Sequence, residues 1–62
     1  MIRQAKNLKR GDIIVVKGQD RIIEDAFRSK HPNYKDRIVV EFREGDTTDF
    51  LENEEFECKN IV

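Results

Sequence analysis

The sequence predicts an all-β fold in which residues 1–62 form one small domain, a barrel of five short strands. Two β-branched apolar runs, 13–16 and 38–40, stand out in a chain whose residues are 40% charged, and such clustering is typical of strands. Turn residues separate the predicted strands at short intervals, a spacing that indicates a small barrel. A chain of this size buries only about 60% of its unfolded surface, so a closed barrel, which removes exposed strand edges, is the favoured arrangement.

The first predicted strand spans residues 12–17 and follows a polar lead-in whose one apolar anchor is Leu8. Gly18 provides the turn after it and is expected to have a positive φ. Side chains of this strand alternate between two apolar faces, Ile13 and Val15 on one and Ile14 and Val16 on the other. We expect the second of these faces to need further cover, from Leu8, from the tail at 61–62 or from a second copy of the chain.

Residues 21–28 fit two interpretations. The i, i+4 spacing of Ile23 and Phe27 is that of a helix, whose first turn Asp20 could cap. As a strand, the segment places Ile23 and Phe27 on the same face. The strand is favoured because a β-branched pair directly follows a tight turn and because Pro32 limits the length of any helix. A short helix or helical turn between strands stays open as the alternative.

The second half of the chain contains the clearest strand signal. Over residues 37–43 apolar side chains recur at every second position, the pattern of a strand with one buried and one solvated face. A tight turn leads from it into a strand at 46–51, and an acidic turn at 52–54 leads into a last strand at 55–61. The predicted inward residues are Ile13 or Ile14, with Ile38, Val40, Phe42, Phe50, Phe56 and Cys58.

Two strings carry a resemblance to a known fold. The first is LKRGDIIVV at residues 8–16, followed by Gly18, and the second is DRIVVEFREGD at residues 36–46, followed by an acidic turn. Together they resemble the SH3-like small barrels of the KOW and Tudor-like kind over nearly the whole chain. The resemblance implies an SH3-like barrel but indicates no particular activity, because turn glycines and alternating strands recur in many unrelated barrels.

The charges are divided between the two halves of the chain. Residues 1–37 hold ten Lys and Arg against five Asp and Glu, a net charge of +5, whereas residues 38–62 hold two against eight, a net charge of −6. The overall net charge of −1 therefore hides a polar molecule. We expect a basic and an acidic surface, which suits a protein partner with complementary patches better than a long duplex.

Residue types needed for catalysis or metal binding are scarce. The one histidine, His31, falls in a predicted surface loop, and the one cysteine, Cys58, alternates with acids on a predicted strand, where a buried thiol is inert. The acids of residues 46–55 lack the spacing of an EF-hand, and the three glycines lie too far apart to hold a phosphate. We therefore predict a protein that is not an enzyme and uses no metal or cofactor.

The sequence contains neither the apolar stretch of a signal peptide nor the longer one of a membrane span. A single cysteine also excludes a disulfide within the chain. We expect a cytoplasmic protein that makes no contact with a membrane and is a monomer or a weak homodimer.

Most of the aromatic residues are predicted to be internal. Phe27, Phe42, Phe50 and Phe56 fall on inward positions, which leaves Tyr34 as the one ring expected at the surface. Recognition of proline-rich peptides by SH3 domains and of methyl-lysine by Tudor domains both use several exposed rings. Neither activity is therefore expected here.

The best candidate site is the basic loop at residues 28–37. Its candidate binding residues are Arg28, Lys30, His31, Tyr34, Lys35 and Arg37. A second candidate surface consists of Glu52, Glu54 and Glu55. We predict a small adaptor or modulator that binds a protein partner. The alternative is RNA or single-stranded nucleic acid, whose phosphates and bases the cations and Tyr34 could hold, and a loop that serves only solubility is the third interpretation.

Overall fold

The structure, a computed structural model, describes residues 1–59, which form six β-strands and two short 3-10 turns. The strands are β1 (Ile2–Gln4), β2 (Ile13–Val16), β3 (Gln19–Arg28), β4 (Arg37–Phe42), β5 (Thr47–Leu51) and β6 (Glu55–Glu57). The 3-10 turns lie at Ala5–Asn7 and Pro32–Tyr34. The prediction of an all-β fold is confirmed. No helical segment within residues 1–59 has the length and apolar character needed to cross a membrane.

Antiparallel pairing joins the strands into two sheets. β2, β3, β4 and β5 form a four-stranded sheet in that order, which curls into a half-barrel. β1 and β6 form a two-stranded sheet, and a bridge between Ile14 and Cys58 connects the end of β6 to β2. Sequence analysis did not predict β1, because its three residues contain a single apolar side chain.

The hairpin between β2 and β3 has a two-residue loop, Lys17 and Gly18, closed by the pair of Val16 with Gln19. Both loop residues have positive φ, 52° and 77°, as in a type I′ turn, whose twist matches that of the flanking strands. The expected positive φ at Gly18 is confirmed. Lys17 occupies the same left-handed region with a full side chain, which is an unfavourable conformation for an L-residue.

Residues 21–28 belong to β3, so the strand interpretation is confirmed and a helix in this segment is excluded. The helical turn considered between strands is present instead at Pro32–Tyr34, as a 3-10 turn. A β-bulge between Ile23 and Asp25 shifts the register with β4. The extra residue reverses the face on which all later side chains of the strand lie. Ile23 and Ala26 therefore pack in the core, and Phe27, which simple alternation predicts to face inward, lies outside with 45% of its surface exposed.

The core lies inside the curl of the sheets. Its buried members are Ala5, Leu8, Ile14, Ile23, Ile38, Val40, Phe42, Phe56 and Cys58. The predicted alternation of β4 is confirmed, as is the burial of Phe56 and Cys58, and Ile14 rather than Ile13 is the core residue of β2. Phe50 is half-buried and packs against this cluster, with its ring centroid 4.6 Å from that of Phe56.

The polar lead-in before β2 closes one end of the core. Leu8 and Ile14 belong to the same buried cluster, so the chain itself provides cover for this face of β2. The tail at 61–62, the second source of cover that the sequence suggests, lies outside the described residues. Asp12 is buried and accepts a hydrogen bond from the Lys9 amide at 3.0 Å, while its carbonyl accepts one from the Ile23 amide at 2.9 Å. The first bond holds the lead-in in its turn, and the second attaches it to β3.

The charge division of the sequence does not produce two separate surfaces. Antiparallel pairing places strands of the basic half beside strands of the acidic half, and arginines of the first pair with acids of the second. These ion pairs are Arg21 with Glu44 and Asp46, Arg28 with Glu52, and Arg37 with Asp49. The expectation of one basic and one acidic face is therefore wrong.

Candidate interaction surface

The basic loop predicted as a binding site connects β3 to β4. His31 is extended, with φ −75° and ψ 130°, as expected for a residue before a proline, and a 3-10 turn follows it. The Asn33 amide donates to Nδ1 of His31 at 3.2 Å, and the Tyr34 amide donates to the His31 carbonyl at 3.0 Å. The ring centroids of His31 and Tyr34 are 5.0 Å apart. The loop thus presents two exposed rings on a hydrogen-bonded turn.

Two arginines attach this loop to the acidic half of the chain. Nη1 of Arg28 donates to the carbonyl of Lys35 at 2.7 Å and to Oε1 of Glu52 at 2.9 Å. Nη1 of Arg37 donates to Oδ2 of Asp49 at 3.2 Å. Exposed ion pairs contribute at most about 1 kcal/mol to stability. Their main effects here are to hold the arginine side chains in place and to neutralise positive charge.

The remaining charged candidates are exposed. Lys30 and Lys35 form no side-chain ion pair with any residue among 1–59, and the same holds for Glu54 and Glu55. Glu52 is instead half-buried against the loop arginine. The structure therefore brings Glu52 to the basic loop, while Glu54 and Glu55 make no ion pair with it. Within this candidate surface, Glu52 thus differs from the exposed Glu54 and Glu55 in having an arginine partner.

A groove lies on the outer face of the four-stranded sheet, beside the basic loop. It has a volume of about 320 Å³ and is lined by Ser29, Tyr34, Arg37, Val39, Thr47, Thr48 and Asp49. We call it the outer groove. Of the predicted site residues, Tyr34 and Arg37 line this groove, and the other candidates of the loop lie beyond it.

Phe27 is the residue of this surface that sequence reasoning missed. It pairs across the sheet with Val39, which lines the outer groove, and Leu51 pairs with Arg37 on the same face. Phe27 is 45% exposed, Leu51 47% and Tyr34 51%. Three large apolar side chains are therefore accessible around the outer groove, where the sequence predicted only one ring.

A second concavity lies on the inner side of the curled sheet, between the edge strands β2 and β5. It has a volume of about 340 Å³ and is lined by Val16, Lys17, Gln19, Arg21, Phe42, Asp46, Thr47, Thr48 and Phe50. We call it the barrel mouth. Apolar side chains of the core form its floor, and charged side chains form its rim.

Arg21 is the charged group most firmly held at the barrel mouth. Its guanidinium carbon lies 4.1 Å from the centroid of the Phe42 ring. Nε donates to Glu44 at 3.0 Å, and Nη2 donates to both carboxylate oxygens of Asp46 at 2.7 and 2.8 Å. These hydrogen bonds raise the pKa of Arg21 and lower the pKa of Asp46. The contacts fix the arginine between an aromatic ring and two acids.

Reactive side chains are not grouped in the described part of the chain. Residues 1–59 contain no cluster of three or more His, Cys, Asp or Glu side chains that could hold a metal ion. Cys58 is a free thiol buried in the core, and His31 contacts Tyr34 and the backbone of its own loop. The outer groove and the barrel mouth are therefore the features from which a function can be inferred.

Comparisons of the chain with protein families, with curated proteins and with solved structures found no match.

Proposed function

We propose that this protein is a non-catalytic adaptor, an SH3-like small barrel that binds a protein partner on the outer face of its four-stranded sheet. The observation that carries the proposal is the exposure of Phe27 and Tyr34 beside the outer groove, next to arginines whose charges are already paired. Protein interfaces concentrate their binding energy in aromatic and arginine side chains that lie together in this way.

The exposed ring of Phe27 supports a contact role. The bulge in β3 moves an aromatic side chain from a thin core to the surface, where its apolar area faces water. Full burial of an exposed phenylalanine contributes about 1.5–3 kcal/mol, so burial under a partner of the exposed 45% of Phe27 contributes about 1 kcal/mol. Val39 and Leu51 extend the apolar area around it, so a partner can cover several apolar side chains at once.

The paired arginines favour a protein over a nucleic acid. Glu52 compensates Arg28 and Asp49 compensates Arg37, so of the four expected cations only Lys30 and Lys35 lack an ion pair with a residue among 1–59. Affinity for nucleic acid depends on uncompensated cations, because each phosphate contact releases a counterion. Paired and immobilised arginines are better suited to hydrogen bonds at a protein interface.

Single-stranded RNA is the second candidate function, and one observation favours it. The rings of His31 and Tyr34 are exposed side by side, and Lys30 and Lys35, which form no ion pair within the described part of the chain, flank them in the sequence. Bases stack on exposed rings of this kind while lysines hold the phosphates. RNA binding of this type should weaken steeply with added salt in the wild-type protein, because each phosphate contact releases a counterion. Replacement of the two lysines should weaken it for all sequences and reduce its dependence on salt.

Site-specific crosslinking tests the main proposal. We would place the photo-reactive amino acid benzoylphenylalanine at position 27 or 34, and at position 9 as a control, because Lys9 is exposed on the lead-in. We expect a protein of defined mass to be attached at positions 27 and 34 and not at position 9. Equal attachment at all three positions, or attachment of RNA alone, would contradict the proposal.

Titration of labelled RNA and DNA oligomers at two salt concentrations tests the second candidate. The variants are the double mutant Lys30→Glu, Lys35→Glu and, as the matched control, Lys6→Glu with Lys9→Glu, which makes the same change of charge on the lead-in. Micromolar binding that weakens with salt and is lost only in the Lys30→Glu, Lys35→Glu variant would favour RNA over a protein as the partner.

A further inference from the structure

One edge of β5 has no partner strand in the described part of the chain. β5 pairs with β4 on its other side. The Phe42 amide donates to the Asp46 carbonyl at 2.9 Å, so Phe42 and Asp46 are a hydrogen-bonded pair, and hydrogen-bonded and non-hydrogen-bonded pairs alternate from there along the two strands. By this alternation Thr47 and Asp49 belong to the non-hydrogen-bonded pairs, so their backbone N–H and C=O groups point away from β4. Such an edge can accept a further strand.

The two concavities lie on opposite faces of this edge. Thr47 and Thr48 line both of them, Asp49 lines the outer groove and Phe50 lines the barrel mouth. Successive side chains of a strand point to opposite faces, so a strand added to β5 would direct its side chains alternately towards the outer groove and the barrel mouth. Peptide recognition by strand addition uses this combination of backbone hydrogen bonds and alternating pockets.

The charge at the edge indicates which segment fits. The side chains of Asp46 and Asp49 are 56% and 55% exposed, whereas their partners Arg21 and Arg37 are 18% and 37% exposed. Arg21 and Arg37 lie on β3 and β4, the central strands of the sheet. Asp49 lies on the edge strand β5, and Asp46 directly precedes it. Both carboxylates are paired with these arginines, but they are the more exposed members of their pairs and lie nearer to an approaching strand. Asp49 is the carboxylate on the side of the outer groove, and basic side chains of a strand that reach this groove complement it.

We propose that the partner contributes an extended segment in which basic and apolar residues alternate, and that this segment adds to β5 as a further strand. The proposal rests on the proposed function, since it specifies the chemistry of the partner that binds at this face. Apolar side chains of the segment enter the barrel mouth against Phe42 and Phe50, and basic side chains lie in the outer groove near Tyr34 and Asp49.

A second copy of this chain is a poorer occupant. Two β5 strands paired antiparallel about Asp49 would set this carboxylate opposite its own copy, and like charges in directly opposed positions are destabilising. Asp46 adds further negative charge at one end of the same strand. Self-pairing in this register is thus disfavoured, whereas a basic segment meets no such repulsion.

Synthetic peptides test the proposal without altering the protein. The probe is an acetylated and amidated peptide of seven residues in which lysine and valine alternate, and the charge control replaces each lysine with glutamate. Two further peptides carry N-methyl groups on the backbone. In one peptide the backbone amides of the lysines are methylated, and in the other those of the valines. An added strand directs only one of these two sets of N–H groups towards β5, so one methylated peptide should bind at least about tenfold more weakly and the other should bind like the probe.

Protein variants provide the second half of the experiment. Thr47→Pro removes an edge N–H group that β4 does not use, and proline is tolerated at such positions of edge strands. Thr47→Ala retains this N–H group and serves as the matched control. We expect the proline variant to lose at least about tenfold in affinity for the probe and the alanine variant to keep most of it. Hydrogen exchange of the Thr47 and Asp49 amides should slow in the complex of the wild-type protein.

Three results would overturn the proposal: equal binding of both methylated peptides, unchanged exchange at Thr47 and Asp49, or absence of probe binding at about 1 mM. Failure of strand addition and failure of the proposed function are distinguishable. Protein crosslinks at positions 27 and 34 without peptide binding would support the proposed partner site and exclude strand addition to β5. A dimer that Thr47→Pro converts to monomer would assign the edge to a second copy instead.

Discussion

Replacement of Phe42 by alanine tests how the core is assigned. This side chain is 2% exposed, packs in the buried cluster with Ile14 and Ile23, and contacts the Arg21 guanidinium through its ring. Truncation of a buried phenylalanine costs about 3–5 kcal/mol, and loss of the cation–π contact adds about 0.5–1 kcal/mol. At about 0.05–0.15 kcal/mol per residue, a domain of 62 residues is stable by about 3–9 kcal/mol. We expect the variant to be largely unfolded or to melt far below the wild type.

Phe27→Ala is the matched control because it removes the same atoms from the outer face of the sheet. At 45% exposure this change should cost about 1 kcal/mol. For a domain of this size, 1 kcal/mol corresponds to a shift of about 4–8 °C in melting temperature. Thermal unfolding followed by circular dichroism should therefore separate the Phe42 and Phe27 variants by more than about 10 °C.

The outcome also tests the bulge in β3. Without the bulge, strict alternation from Ile23 would place Phe27 in the core. Equal melting temperatures, or a larger loss for the Phe27 variant, would refute both the burial of Phe42 and the shift in register.

Three further predictions concern stability. Asp12→Ala removes the buried acceptor of the Lys9 amide and should lower the free energy of unfolding, measured in urea, by about 1–3 kcal/mol. An unchanged midpoint would exclude a structural role for the hydrogen bond between Lys9 and Asp12. Lys17→Asn should stabilise the type I′ turn by about 0.5 kcal/mol, and a lower melting temperature would contradict the positive φ assigned to this residue. The folded pKa of Asp46 lies below its ordinary value of 3.8 because Arg21 hydrogen-bonds it. Its contribution to stability is therefore present above about pH 4 and is lost as pH falls through the folded pKa. Wild type and Asp46→Asn should converge in stability in acid, and a gap that widens there would refute this sign.

The strands of the larger sheet could be predicted because each is encoded locally. Alternation over residues 37–42 identifies β4 whatever the rest of the chain does, and the β-branched run of residues 13–16 identifies β2. Gly18 and Pro32 each restrict the backbone at their own position, so the turn and the extended residue before the proline were also predictable. β1 was not, because its three residues become a strand only through their pairing with β6.

The candidate site was predicted in part. Tyr34 was expected at the surface and is exposed, and the loop at 28–37 does connect two strands. Phe27 was missed because alternation assumes an unbroken strand. The one hint in the sequence is that Ile23 and Ala26, three positions apart, are both suited to a core, and this spacing alone does not distinguish a bulge from a helix.

The sequence by itself determined the fold class and the segments that form strands, because hydrophobic alternation and turn residues act over a few neighbouring positions. Only the tertiary structure decided which face Phe27 occupies and which charges are free. A one-residue bulge depends on how two strands fit together, and it reverses every side chain beyond it. The charge halves likewise became interleaved ion pairs because antiparallel pairing brings distant residues such as Arg28 and Glu52 within hydrogen-bonding distance, which no count along the chain can reveal.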